Sequence, residues 1–196
     1  MRCRLIPALV TTSLTLLFAA LPHAGRAQMV VLGASPAETR ALTSWYGEHI
    51  PPHYRVRSRL TIRSFNDRQM AAYLKDGDGD SDRLPSGGGG DDGDIDGVFE
   101  DNPPQITLRV PPSGALDMYT FAHEYGHYVW FEVLRADDRR RYEALYKKQR
   151  ASHHLVTPYA ATDVEEGFAE AFSFYANEPP ILAHRDPASF QFLAQR

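Results

Sequence analysis

The stretch TFAHEYGHYVWF, residues 120–131, places two histidines four apart with a glutamate beside the first. On an α-helix, residues four apart lie one turn apart on the same face, so His123 and His127 can aim both imidazoles at one point. Two imidazoles so placed supply two ligands of a tetrahedral zinc site. Glu124 is one position along, rotated by about 100°, where its carboxylate can reach a metal-bound water. This is the H-E-x-x-H arrangement, with glutamate as general base. The flanks Phe121, Ala122, Tyr128, Val129, Trp130, Phe131 and Leu134 predict a largely buried helix. Burying two histidines and a carboxylate without partners is unfavourable, and a metal ion would offset that cost. Gly126, inside the motif, admits another part of the chain or a substrate at close range.

A catalytic zinc needs a third protein ligand, and the stretch DVEEGFAEAFSFY, residues 163–175, offers three candidates: Glu165, Glu166 and Glu170. Glu166 and Glu170 are again one helical turn apart, while Phe168, Ala171, Phe172 and Tyr175 supply packing. The division that suits this spacing gives Glu166 to the metal and Glu170 to the second nitrogen of a ligand histidine, which it would orient. Three protein ligands leave a fourth position for water, the pattern of a catalytic site.

HEYGH followed by YAATDVEEGFAEAF resembles the zinc-peptidase domain of anthrax toxin lethal factor and its relatives, zincins that take glutamate as third ligand. The family's F-A-E-A-F core matches Phe168 to Phe172, and the closing ASFQFL is similar to the family's end. The resemblance runs from roughly Gly97 to the C-terminus. It implies that Tyr159, seven residues before Glu166, faces the metal and stabilises the oxyanion. It also implies an α+β fold: a single zincin-like metallopeptidase domain in which a small, mostly antiparallel sheet packs on the active-site helix ahead of a mainly helical C-terminal half. The acidic glycine loop described below has no counterpart in that pattern, and the toxin's other domains have no room in 196 residues.

The elements that must position these residues are partly readable. SPAETRALTSWYGEH predicts a helix with Ser35 as N-cap, Pro36 at the first position and Glu38 three residues past the cap, stopped by Pro51 and Pro52. YRVRSRLTIRSF alternates, with Val56, Leu60 and Ile62 on one face and Arg57, Arg59 and Arg63 on the other, the period of a half-buried strand. A short helix follows from Asn66 or Asp67. Val98 and Phe99, a turn at Asn102 to Pro104, and the alternating Ile106, Leu108 and Val110 predict a β-hairpin. By analogy with the fold of the zincins that the motifs resemble, the strand ITLRV is the expected edge for pairing with an extended peptide. Helices are expected from about Ala115 to Arg135, over the charged DDRRRYEALYKKQR, from Asp163 to about Asn177, and over DPASFQFLAQ.

The remaining segments bound the biology. Residues 1–27 combine arginines, an apolar run from Leu5 to Leu21 and small residues ending at Ala27, the layout of a secretory signal peptide. Cleavage there would leave 28–196 as one metallopeptidase domain, secreted or periplasmic, with no stable membrane anchor. It would also remove Cys3, the only cysteine, and three arginines, taking the formal charge from −4 to −7. Ten acids and one arginine lie between Asp76 and Asp101, and an acidic chain with no basic stripe makes a poor nucleic-acid binder. Residues 76–94, with four consecutive glycines, read as a mobile acidic loop. Asp92, Asp94, Asp96 and Gly97 match the first half of a calcium-binding EF-hand loop, but the position that needs a bidentate glutamate is Pro103. Calcium is therefore the weaker cofactor expectation and one Zn²⁺ the stronger. The functional expectation is a secreted zinc peptidase, with an endopeptidase favoured, acting on peptide or protein substrates. The alternatives are a zinc-binding module without turnover and a calcium-responsive surface protein with structural zinc. Of the other histidines, His153 and His154 read as loop residues near Tyr159. His49 and His53, separated by two prolines, cannot share a helical face.

Overall fold

In the computed structural model the described residues are 28–76, 95–112 and 114–195. The segment expected to be a signal peptide and nearly all of the acidic glycine loop, with Asp92 and Asp94, lie outside them. Among the described residues no helix is long and apolar enough to cross a membrane.

Four strands form one sheet in the order β1-β2-β4-β3: β1 is Gln28–Leu32, β2 Arg59–Phe65, β3 Gly97–Asp101 and β4 Pro104–Arg109. Only β3 and β4 pair antiparallel, with Phe99 opposite Ile106. The β1–β2 and β2–β4 pairings are both parallel, so the sheet is mixed and mostly parallel rather than mostly antiparallel. The cause is connectivity. A tight turn can join only antiparallel neighbours, as at Asn102–Pro103, whereas β1 and β2 are linked by a crossover helix. That helix, α1 (Pro36–His49), begins as its sequence predicts. Ser35 Oγ accepts the Glu38 N–H and the Glu38 carboxylate accepts the Ser35 N–H. Asn66 and Gln69 make the same reciprocal pair at the start of α2 (Asp67–Asp76).

Strand β2 buries Leu60, Ile62 and Ser64 and leaves the residues between them less covered, as its alternation predicts. Val56, expected on the same face, falls ahead of the strand. Leu60 and Ile62, with Ile106 and Leu108 of β4, belong to one core with the central helix α3 (Met118–Tyr128), whose residues 121–128 are all buried. After Tyr128 the chain makes a turn of π-helix, Val129–Val133, in which the Leu134 N–H reaches back to Val129 O. Arg139, on α4 (Ala136–Ala151), holds that turn by donating to the carbonyls of Trp130 and Leu134, each at 2.9 Å. Helix α5 (Val164–Asn177) crosses α3, and α6 (Pro179–Arg185) and α7 (Pro187–Ala194) complete the helical half. Pro179 and Pro180 open α6 rather than merely closing α5, as prolines in a first helical turn can. Tyr54 ties the halves together, since its hydroxyl donates to Leu193 O while its own carbonyl accepts the Tyr125 hydroxyl.

The α3–α5 crossing is close because of Gly126. A Cβ there would stand 2.7 Å from Ala169 Cα, a backbone atom that cannot swing aside. Gly126→Ala should therefore force the helices apart and cost about 1–3 kcal/mol, the usual penalty of overpacking. A fall in Tm in thermal denaturation is the expected readout, and an unchanged Tm would show that the crossing has slack.

Candidate metal centre

Helix α3 presents His123 and His127 one turn apart, and α5 meets them with Glu166. Their ligating atoms all lie within 4.8 Å of one another, and all three residues are buried. Glu166 Oε2 stands 3.0 Å from His123 Nε2 and 3.5 Å from His127 Nε2. None of the three atoms is otherwise satisfied by a hydrogen-bond partner. Two imidazole nitrogens and a carboxylate oxygen, buried and converging on one point, are what a cation needs and what a packed core avoids. The group could hold one metal ion. Among the described residues it is the one cluster of three or more histidine, cysteine or acidic side chains with that geometry.

Glu166 is fixed by the start of its helix. Asp163 is the N-cap of α5, and its Oδ1 accepts the N–H groups of Glu165 (2.8 Å) and Glu166 (2.9 Å). Asp163 is thus engaged with the backbone, and Glu165, half-buried, stays outside the cluster. Glu170, one turn beyond Glu166, reaches His123 from behind: His123 Nδ1 donates to Glu170 Oε1 at 2.9 Å. This bond selects the tautomer that keeps the Nε2 lone pair aimed at the centre. On His127 the ring of Phe99, from β3, stacks nearly parallel with a centroid separation of 6.4 Å.

The charges are strongly coupled. Burial works against a charged His123, but the Glu166 and Glu170 carboxylates outweigh it and raise its pKa from 6.5 to about 10. Burial would likewise raise Glu166, yet the two imidazoles hold it at about 2. Glu124, wholly enclosed, has its pKa pushed up by burial, against the pull of the two histidines and of the Phe99 backbone N–H. Its Oε2 has no hydrogen-bond partner. Gly97 of β3 makes room for it, since a Cβ there would stand 2.8 Å from Glu124 Cγ and 2.9 Å from Oε1.

Tyr159 lies on a three-residue 3₁₀ turn, Tyr159–Ala161, with its ring centroid 5.9 Å from that of His123. The other histidines lie elsewhere. His154 is exposed with Nδ1 3.0 Å from Ser152 Oγ, and His153 is exposed in the same loop. His49 stacks on Trp45 and bonds Ala176 O. Of the calcium expectation, Asp96 is described, and it accepts from Arg109 Nε at 2.7 Å. The strand proposed as the peptide-pairing edge, β4, is interior. The edge strand beside α3 is β3.

Two contributors were missed from sequence, Gly97 and Thr157, whose hydroxyl donates to Glu170. No spacing rule points to either. In the sequence Gly97 falls in a half-match to a calcium loop whose second half fails, and Thr157 belongs to an irregular segment. No protein-family model matches this chain, and no curated protein matches it. The buried His123, His127 and Glu166 cluster is by itself geometrically compatible with a zincin-like site.

Proposed function

We propose that this chain is an exported zinc-dependent peptidase. The observation that carries the reading is the convergence of His123, His127 and Glu166 on one buried point with the buried Glu124 carboxylate beside them. Two imidazoles and one carboxylate, three ligands that leave a fourth coordination position over, form the donor set of catalytic zinc. His123, His127 and Glu166 would hold zinc, which when bound would supply Lewis acidity for activating a water and polarising a carbonyl. Glu124 accepts the proton of the attacking water at its carboxylate and returns it to the departing amine. The Tyr159 hydroxyl donates to the carbonyl oxygen as it gains charge. An extended peptide lies along the outer edge of β3, adding a strand through main-chain hydrogen bonds.

The test is a mass-spectrometric cleavage profile on a diverse peptide library with zinc present, with zinc removed by a chelator and with zinc restored. Cuts that disappear on chelation and return with zinc are expected. A protein that loads zinc and leaves every peptide whole would sink the broad peptidase reading and favour a binding module.

Gly97→Ala offers a sharper check on Glu124. The added methyl must displace both the Glu124 side chain and the Thr120 methyl, 2.7 Å away. Zinc content should stay at one per chain while kcat falls by about 10–100-fold, the range expected when a reacting group is moved by a fraction of an ångström to about one. Equal kcat in the two proteins would show that Glu124 does not need its place against β3.

A further inference from the structure

A single hydroxyl joins the turn carrying Tyr159 to the far side of the metal centre. Thr157 Oγ1 donates to Glu170 Oε2 at 2.6 Å and accepts the Ala160 backbone N–H at 3.1 Å. The polarity of this pair is fixed, because an amide N–H can only donate and a threonine hydroxyl has one proton to give. Glu170 accepts the His123 Nδ1 proton on its other oxygen. Its carboxylate is thereby pinned at both ends and cannot rotate without breaking a charge-assisted bond. The contacts join α3, the Tyr159–Ala161 turn with its lead-in, and α5 at a single carboxylate.

We propose that Thr157 is a positioning residue that couples the orientation of the metal ligand His123 to the placement of Tyr159. The His123 half concerns metal binding alone, while the Tyr159 half rests on the peptidase reading. Without the hydroxyl, Glu170 Oε2 loses its donor and the carboxylate is free to turn away from Nδ1, so the ring no longer holds its lone pair on the centre. Ala160, fully buried, loses its N–H acceptor in the same step, and the turn that begins at Tyr159 loosens.

The experiment compares Thr157→Val and Thr157→Ser with the wild type in the intact chain. Zinc affinity is read by chelator competition, the centre by the visible absorption of the cobalt-substituted protein, and turnover by kcat and KM. Thr157→Val should bind zinc about tenfold more weakly, at the lower end of what loss of a partner behind a metal ligand costs. Its cobalt spectrum should shift, and kcat should fall at least as much as affinity with little change in KM. Thr157→Ser, which keeps the hydroxyl and drops the methyl, should restore all three. In a Glu170→Ala background, adding Thr157→Val should weaken zinc binding by less than twofold, because the hydroxyl acts through that carboxylate. A valine variant with lower Tm but wild-type zinc affinity and cobalt spectrum would reduce Thr157 to loop packing and overturn the proposal. If the valine variant does not fold, the serine variant decides, since loss of affinity there would trace the effect to the methyl. A wild type that binds zinc but cleaves nothing would remove the peptidase reading and the Tyr159 half, while the affinity and spectrum still judge the His123 half.

Discussion

Glu124→Gln is expected to bind one zinc per chain and to lower kcat by about 10²–10⁴-fold, the contribution of a positioned general base. Glutamine matches glutamate in shape, and Glu124 is not among the three converging ligands, so metal content should not change. What changes is the ability to take a proton. Burial pushes the Glu124 pKa up, towards neutral pH, where a carboxylate is a better base than in water. The same shift predicts a second, opposite effect. A carboxyl group whose folded-state pKa is raised destabilises the folded protein as pH climbs through and above its ordinary value of 4.5. Removing the charge should therefore raise the Tm of the metal-free protein at neutral pH, with the gain fading below about pH 4. Turnover by Glu124→Gln within tenfold of the wild type would refute the assignment of the base. An unchanged or lower Tm would show that the buried charge is better solvated than its enclosure suggests.

The centre is legible in the sequence to the extent that helical geometry determines it. His123 and His127 share a face by spacing alone, and Glu166 with Glu170 repeats the device on α5. The choice of Glu166 over Glu165 follows once the N-cap at Asp163 fixes the helix phase. Local signals worked equally well at α1, where Ser35 and Glu38 form the expected reciprocal cap. Non-local pairings left no such trace. Strand β1, QMVVL, is five residues long and pairs with residues about thirty further on, so nothing in its neighbourhood announces a strand or its parallel direction. Likewise the π turn after Tyr128 reads as continuing helix, because its cause is Arg139, ten residues beyond Val129, gathering the freed carbonyls. Thr157 and Gly97 matter only through side chains that the fold brings to them, and no periodicity records that.

Glu166→Gln should weaken zinc binding by well over the roughly 10–100-fold that the loss of an outer partner costs, and it should also change how binding depends on pH. In the metal-free wild type, His123 has its pKa raised to about 10 and is protonated at pH 7. Zinc must displace that proton, so binding should release about one proton from His123, and apparent affinity should fall about tenfold per pH unit as pH drops below 10. The stability of the metal-free protein follows the same two groups. The His123 contribution is fully present below its ordinary 6.5 and is lost as pH rises through about 10. That of Glu166 is present above its ordinary 4.5 and is lost as pH falls through about 2. Between those limits the charged pair supports the fold, and zinc then exchanges for its proton. Glutamine at 166 removes one of the two carboxylates that hold the proton on His123, leaving Glu170 alone. The His123 pKa should fall, and proton release measured by calorimetry in buffers of different ionisation enthalpy should drop with it at pH 8. If the variant released as many protons as the wild type at pH 8, Glu170 would be the group that charges His123. The 3.0 Å approach of Glu166 would then serve the metal alone.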